Sequence, residues 1–213
     1  MSTSSPLPPV NTRFTLGEEI TTVQQRFLDE YGFLHFEGVL SAEDVADIKQ
    51  ELAEVESQWL DEDRKTIHGI PVFYGRRASG RRFVQRFAFA SLFSKRLSEI
   101  VRYPRFRALL PLVGPDARIG EHEKDGVVVN RYLNEKGSIY KRLGWHTDGL
   151  RDLFYLRMPK KMLNVGLHLD AVGEEEGGLR ILPGTHTQGF FSMCFRKLYF
   201  LWHRQDKNEV CVK

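Results

Sequence analysis

Gly144-Trp145-His146-Thr147-Asp148-Gly149 is the stretch on which the reading of this chain turns. A His and an Asp two residues apart cannot share a helix face, where neighbours are three or four apart. On a strand the side chains alternate, so residues i and i+2 point the same way. The spacing predicts a strand that sets the His146 imidazole beside the Asp148 carboxylate, between two glycines that leave room for an approaching group. Imidazole and carboxylate are two of the three donors of the 2-His-1-carboxylate facial triad, which holds non-haem Fe(II) with open positions. An ordinary polar strand end would show the same spacing, so the surroundings must decide.

Downstream, His168-Leu169-Asp170 repeats the His-x-Asp spacing, but inside the apolar run Met162–Leu169 and without the Trp and flanking glycines. That run reads as a strand, and Leu179–Leu182 as another after the Glu174–Gly178 turn. Upstream, Val127–Tyr132 is β-branched and short, and Asn134–Gly137 reads as a turn. Earlier still the period is helical. Ile20, Val23, Phe27 and Leu28 predict a helix over Glu18–Tyr31 that stops at Gly32, followed by a short strand Phe33–Phe36. Ser41 reads as an N-cap with Asp44 as its capping-box partner, and Val45, Ile48, Leu52, Val55 and Trp59 form one buried face. Leu92–Val101 and Phe106–Val113 read as two further helices, broken by Pro104 and closed by Gly114-Pro115. Helices first and strands later predict an α+β fold with a mainly β, antiparallel core and helices packed on it. The expected organisation is a loose tail over 1–17 and a single domain over 18–213, helical to about 115 and β from about 116.

Composition narrows the class. With 41% hydrophobic and 28% charged residues, the chain has the make-up of a soluble protein with a core. A net charge of +3 gives no argument for nucleic acid, and no apolar run approaches the ~20 residues of a membrane span. The start has no apolar signal segment, and Cys194 and Cys211 make neither a disulfide framework nor a zinc pattern, so a reducing cytoplasm is expected. Arg76, Arg77, Arg81, Arg82 and Arg86 crowd a segment punctuated by Gly75, Ser79 and Gly80. A solvated hairpin accounts for them; a site for a phosphate or carboxylate of the substrate is the sharper alternative. The neighbouring Phe83, Phe87 and Phe89 would also suit a single-stranded nucleic acid, against which the low net charge weighs.

Three ordered segments carry a resemblance. Gly177-Gly178-Leu179-Arg180-Ile181-Leu182-Pro183-Gly184-Thr185-His186 resembles the NGxLxxxPGSH segment of the phytanoyl-CoA dioxygenase family. Gly144–Gly149 looks like that family's WHxD metal strand, and Phe27–Leu34 with Gly38–Ser41 resembles its opening. The resemblance implies a double-stranded β-helix, a cupin-like jelly roll flanked by helices, with Fe(II) and 2-oxoglutarate as cofactors. It implies that His146 and Asp148 bind the metal and that the strand of Asn130 and Tyr132 faces the co-substrate, with Thr147 beside the ligands. It also implies a reaction in which O2 oxidises 2-oxoglutarate to succinate and CO2 while a substrate C–H becomes C–OH. Family members with Gly or Ala in place of the carboxylate leave a coordination position to chloride; Asp148 implies hydroxylation instead. The family's usual Trp is replaced by Gly166, so that contact is not carried over.

Other histidines have simpler explanations. His186 follows a Pro-Gly turn and suits a structural hydrogen bond, His122 sits among charges in a loop, and His35 is expected beside the core. The distal histidine of the triad and the basic partner of 2-oxoglutarate are not evident after Asp148: no Gly-Asp turn follows, and His203 adjoins the packing segment Leu198–Trp202. The expectation is a jelly roll incomplete at its C-terminal side, with His203 a weak candidate for the third ligand. The leading function is a 2-oxoglutarate-dependent hydroxylase of a small, anionic or lipid-, sugar- or acyl-linked metabolite, with ascorbate as reductant in assay. The alternative is a binding protein that keeps the fold without turnover.

Overall fold

The computed structural model describes residues 6–120, 123, 126–133, 136–138, 146, 161–173, 178–187, 195 and 210–212. The chain divides into two compact units, one of Met1–Val39, Pro111–Gly114 and Trp145–Lys213, the other of Leu40–Leu110 and Pro115–Gly144.

In the first unit, β1 (Phe14–Thr15) pairs in parallel with β2 (Phe36–Glu37), and α1 (Thr22–Tyr31) lies between them in sequence. The helix begins at the Thr21 cap, whose hydroxyl accepts from the Gln24 amide while the Gln24 side chain accepts from the Thr21 amide. It ends at Gly32 in the left-handed conformation, φ +79°, as expected of a residue without Cβ. Phe27 is fully buried and meets Phe14, Tyr31 and Phe33 edge to face, with centroids 4.7–5.8 Å apart. Two expectations shift here. Val23 is 42% exposed while Gln24 is buried, because Gln24 closes the cap and donates to the Thr15 carbonyl at 3.1 Å. The strand expected at Phe33–Phe36 is displaced to β2, since Phe33 is recruited to the aromatic cluster instead.

The second unit is built on α2 (Ala42–Asp61), which has the expected Ser41–Asp44 capping box. Hydrogen bonds from Ser41, its backbone amide first, hold the Asp44 carboxyl below the usual range; Arg96 adds to this. Ile48, Leu52, Val55 and Trp59 are buried on one face, with Trp59 against Phe87 and Phe93 at 5.4 and 5.1 Å. A small hairpin, β3 (Thr66–Ile67) with β4 (Ile70–Pro71), leads into the larger antiparallel hairpin of β5 (Phe73–Arg76) and β6 (Arg82–Phe87). β6 also pairs with β7 (Val129–Asn130), giving the order β5-β6-β7, and Gly137 bridges to Arg76 on the outer side of β5. Buried Gln85 donates to the Ser138 hydroxyl at 2.6 Å, fastening that outer segment across the sheet.

Between β6 and β7 the expected pair of helices is broken up: a 3-10 turn at Ala90–Leu92, α3 (Lys95–Val101) and a 3-10 helix over Pro104–Leu112. Ser94 starts α3 by accepting the Leu97 amide. Pro104 opens the second 3-10 helix rather than merely interrupting one, since its fixed φ suits a first helical position.

The strands expected in the C-terminal half are reduced. β8 (Leu179–Ile181) covers all but the last residue of the strand expected at Leu179–Leu182 and pairs antiparallel with β9 (Val210–Val212). Met162–Leu169 forms no strand; Met162 and Val165 stand about half exposed. An apolar run becomes a buried strand only when a neighbour takes its backbone bonds, and no described strand pairs with this one. The described residues are thus mixed helices and small sheets, with no closed barrel among them. No described helix is long and apolar enough to cross a membrane.

Candidate functional site

Of the expected metal pair, His146 is exposed and in no regular element, so the strand read there is not seen at that residue. Trp145, Thr147, Asp148, His122 and His203 lie outside the described residues. Among the described residues no three His, Cys, Asp or Glu side chains gather as a metal-binding group. The donors nonetheless fit iron in kind: His146 offers an accessible imidazole, and the sequence sets a carboxylate two residues on.

The co-substrate candidates are better defined. β7 covers only Val129–Asn130 of the expected Val127–Tyr132, but the alternation continues past it. Asn130 and Tyr132 are both exposed, while Arg131 between them turns inward and its amide donates to the Gln85 carbonyl at 2.9 Å. The Arg131 guanidinium pairs with Glu56 of α2 at 2.6 Å and lies 5.0 Å from the Phe87 ring centroid. The same Glu56 oxygen accepts the amide of fully buried Val84 at 2.6 Å. One carboxylate therefore ties α2 to β6 and to the residue that separates Asn130 from Tyr132. Sequence reading missed it, although Glu56 lies four residues past Leu52 on the inner face, and a charge there signals a buried partner.

His186 has a structural role. It packs on Gly32, where an added Cβ would run into the imidazole. Beside it, the Gly184 amide donates to the Tyr31 carbonyl at 2.9 Å and so caps the end of α1. The Pro-Gly-Thr-His turn and the Tyr-Gly-Phe opening are thus two halves of one contact. Gly32→Ala forces both a left-handed alanine and a displaced imidazole; the first alone costs about 1–2 kcal/mol. Urea denaturation reads that loss, and a neutral outcome would mean that the turn does not rest on α1.

His168 and Asp170 are exposed and in no strand. His35 is half-buried; burial lowers its pKa below 6.5, Arg13 and His168 push the same way, and Glu37 opposes them. The unfolded chain thus takes up this proton first as pH falls, so the stability His35 contributes is complete above 6.5 and is lost as pH drops through its lower folded value. His35→Gln should flatten the acid limb of the stability curve as pH falls below 6.5; an unchanged limb would assign the loss to other groups.

The arginine segment is the expected hairpin. Residues 76–81 are all exposed; Arg82 pairs with Asp63 at 2.9 Å and stacks on Tyr74, and Arg77 stacks on Phe83. These guanidiniums are spread along the hairpin and its flank and line neither of the two surface grooves described.

Comparison with known proteins settles the family. The model described as phytanoyl-CoA dioxygenase matches residues 28–211, most of the chain. The chain belongs to the phytanoyl-CoA dioxygenase family. Members of the family are typically Fe(II)- and 2-oxoglutarate-dependent oxygenases with a cupin-like jelly-roll fold. No curated protein and no solved structure matches the chain. The three motifs of the resemblance lie almost entirely inside the matched span: Phe27 alone precedes it, and Gly184 and His186 fall within it.

Proposed function

We propose that this chain is an Fe(II)- and 2-oxoglutarate-dependent dioxygenase that hydroxylates an unactivated C–H of a small metabolite or of a lipid-, sugar- or acyl-linked substrate. The carrying observation is that His146-Thr147-Asp148 falls inside the matched span, in a chain of that family. His146 and Asp148 hold the metal, the first as a neutral imidazole and the second as a carboxylate. When bound, iron with 2-oxoglutarate and O2 supplies the oxidation, one oxygen atom passing to succinate, released with CO2, and the other to the new hydroxyl. Asn130 offers an amide from the end of β7, Tyr132 a phenol two residues past it and Thr147 a hydroxyl between the ligands; we assign all three to the co-substrate. The double-stranded β-helix belongs to the same proposal.

Incubation with Fe(II), ascorbate and 2-oxoglutarate across a panel of acyl thioesters, sugars and amino-acid-like solutes tests the reading through succinate. Succinate that rises with one class identifies a dioxygenase. Iron and 2-oxoglutarate binding without succinate in any case would favour the binding protein. Because Asp148 occupies the position that halogenating relatives leave to chloride, the product formed in chloride buffer is hydroxylated. A chlorinated product by mass spectrometry would contradict the ligand assignment.

A further inference from the structure

The proposed chemistry leaves the arginine hairpin without a task. Its tip reads Arg76-Arg77-Ala78-Ser79-Gly80-Arg81-Arg82, four cations in seven residues around one hydroxyl. From Arg76 to Arg81 every residue is exposed. The turn is closed by the Gly80 amide on the Arg77 carbonyl at 2.8 Å and the Arg77 amide on the Arg81 carbonyl at 2.9 Å. Strand pairing begins only at Arg76 opposite Arg82, so opening the tip gives up the two turn bonds and the Arg77–Phe83 stack but no strand pairing.

We propose that Ser79 is a phosphate acceptor for an arginine-directed serine kinase. Such kinases choose substrates by charge, setting acidic pockets against guanidiniums two and three residues before the acceptor. Arg77 and Arg76 stand at those two positions. In the transfer, the Ser79 oxygen bonds to the terminal phosphorus of ATP, the bond from that phosphorus to the ADP oxygen breaks, and the hydroxyl proton passes to the kinase's base. No electron is gained or lost. The product suits its surroundings, because a phosphoserine brings a charge of about −1.5 to −2 and three acceptor oxygens into the cationic turn. Ser79 and its arginines are not among the residues assigned to the metal or the co-substrate.

The full chain is incubated with ATP and the catalytic subunit of an arginine-directed serine kinase, followed by intact mass and peptide mapping. The expected result is a single phosphoryl group on Ser79, absent in Ser79→Ala, with the rate reduced at least about tenfold in Arg76→Ala and Arg77→Ala. All three positions are exposed, so the variants keep the fold, which circular dichroism verifies. No incorporation, incorporation that persists in Ser79→Ala, or a rate indifferent to the arginines would overturn the proposal.

Discussion

Replacing Glu56 by alanine is expected to cost on the order of 3 kcal/mol of folding stability. The carboxylate is only 16% exposed and its Arg131 partner 26%, so water replaces neither well. Truncation strips the partner from a largely covered guanidinium and from the amide of Val84, which is fully buried. An unpaired polar group in such a place carries its full desolvation cost. The companion variant decides the cause. Removing both charges, as Glu56→Ala with Arg131→Ala, should recover the part of the loss that comes from the orphaned guanidinium, while the Val84 amide stays unpaired. Chemical denaturation of the two single variants and the double variant closes the cycle. A cost for Glu56→Ala below about 0.5 kcal/mol would make the contact an ordinary surface bridge and remove the tie between α2 and the Asn130–Tyr132 segment.

The second large effect is on turnover. His146→Ala and Asp148→Ala should each lower Fe(II)-dependent conversion of 2-oxoglutarate to succinate more than about 100-fold, since even groups that merely support metal ligands account for 10–100-fold. Asn130→Ala and Tyr132→Phe should behave differently, raising KM for 2-oxoglutarate about tenfold through the loss of a hydrogen bond while metal affinity is kept. Both side chains are exposed, so their replacement leaves the core intact. Equal loss of metal binding in all four variants would mean unfolding rather than chemistry, and circular dichroism separates the two.

Local rules carried well into the N-terminal half because short-range chemistry decides those elements. The Ser41–Asp44 box, the Gly32 stop and the stripe from Ile48 to Trp59 are each specified by residues within a turn or two. The hairpin at Arg76–Arg82 was equally legible from its Gly80 turn, which sits at φ +83°. Reading weakened where an element depends on a distant partner. Met162–Leu169 has the composition of a strand, yet composition does not supply the neighbour that would take its backbone bonds. The Glu56–Arg131 pair joins residues 75 apart in sequence, which no local period reveals. For the candidate site, donor types and spacing were readable at His146 and Asp148. A third ligand was not, because donors brought together from positions far apart in sequence leave no local spacing to read.

Fe(II) binding by His146 and Asp148 is read by anaerobic titration of the protein with Fe(II) in the presence of 2-oxoglutarate. The iron–2-oxoglutarate charge-transfer absorption gives a readout that needs no substrate. The expected result is a saturable band at one iron per chain that is absent from His146→Ala and Asp148→Ala and retained by His168→Ala. A band of parental strength in His146→Ala, or its loss in His168→Ala, would contradict the assignment and move the metal away from the Trp145–Asp148 stretch.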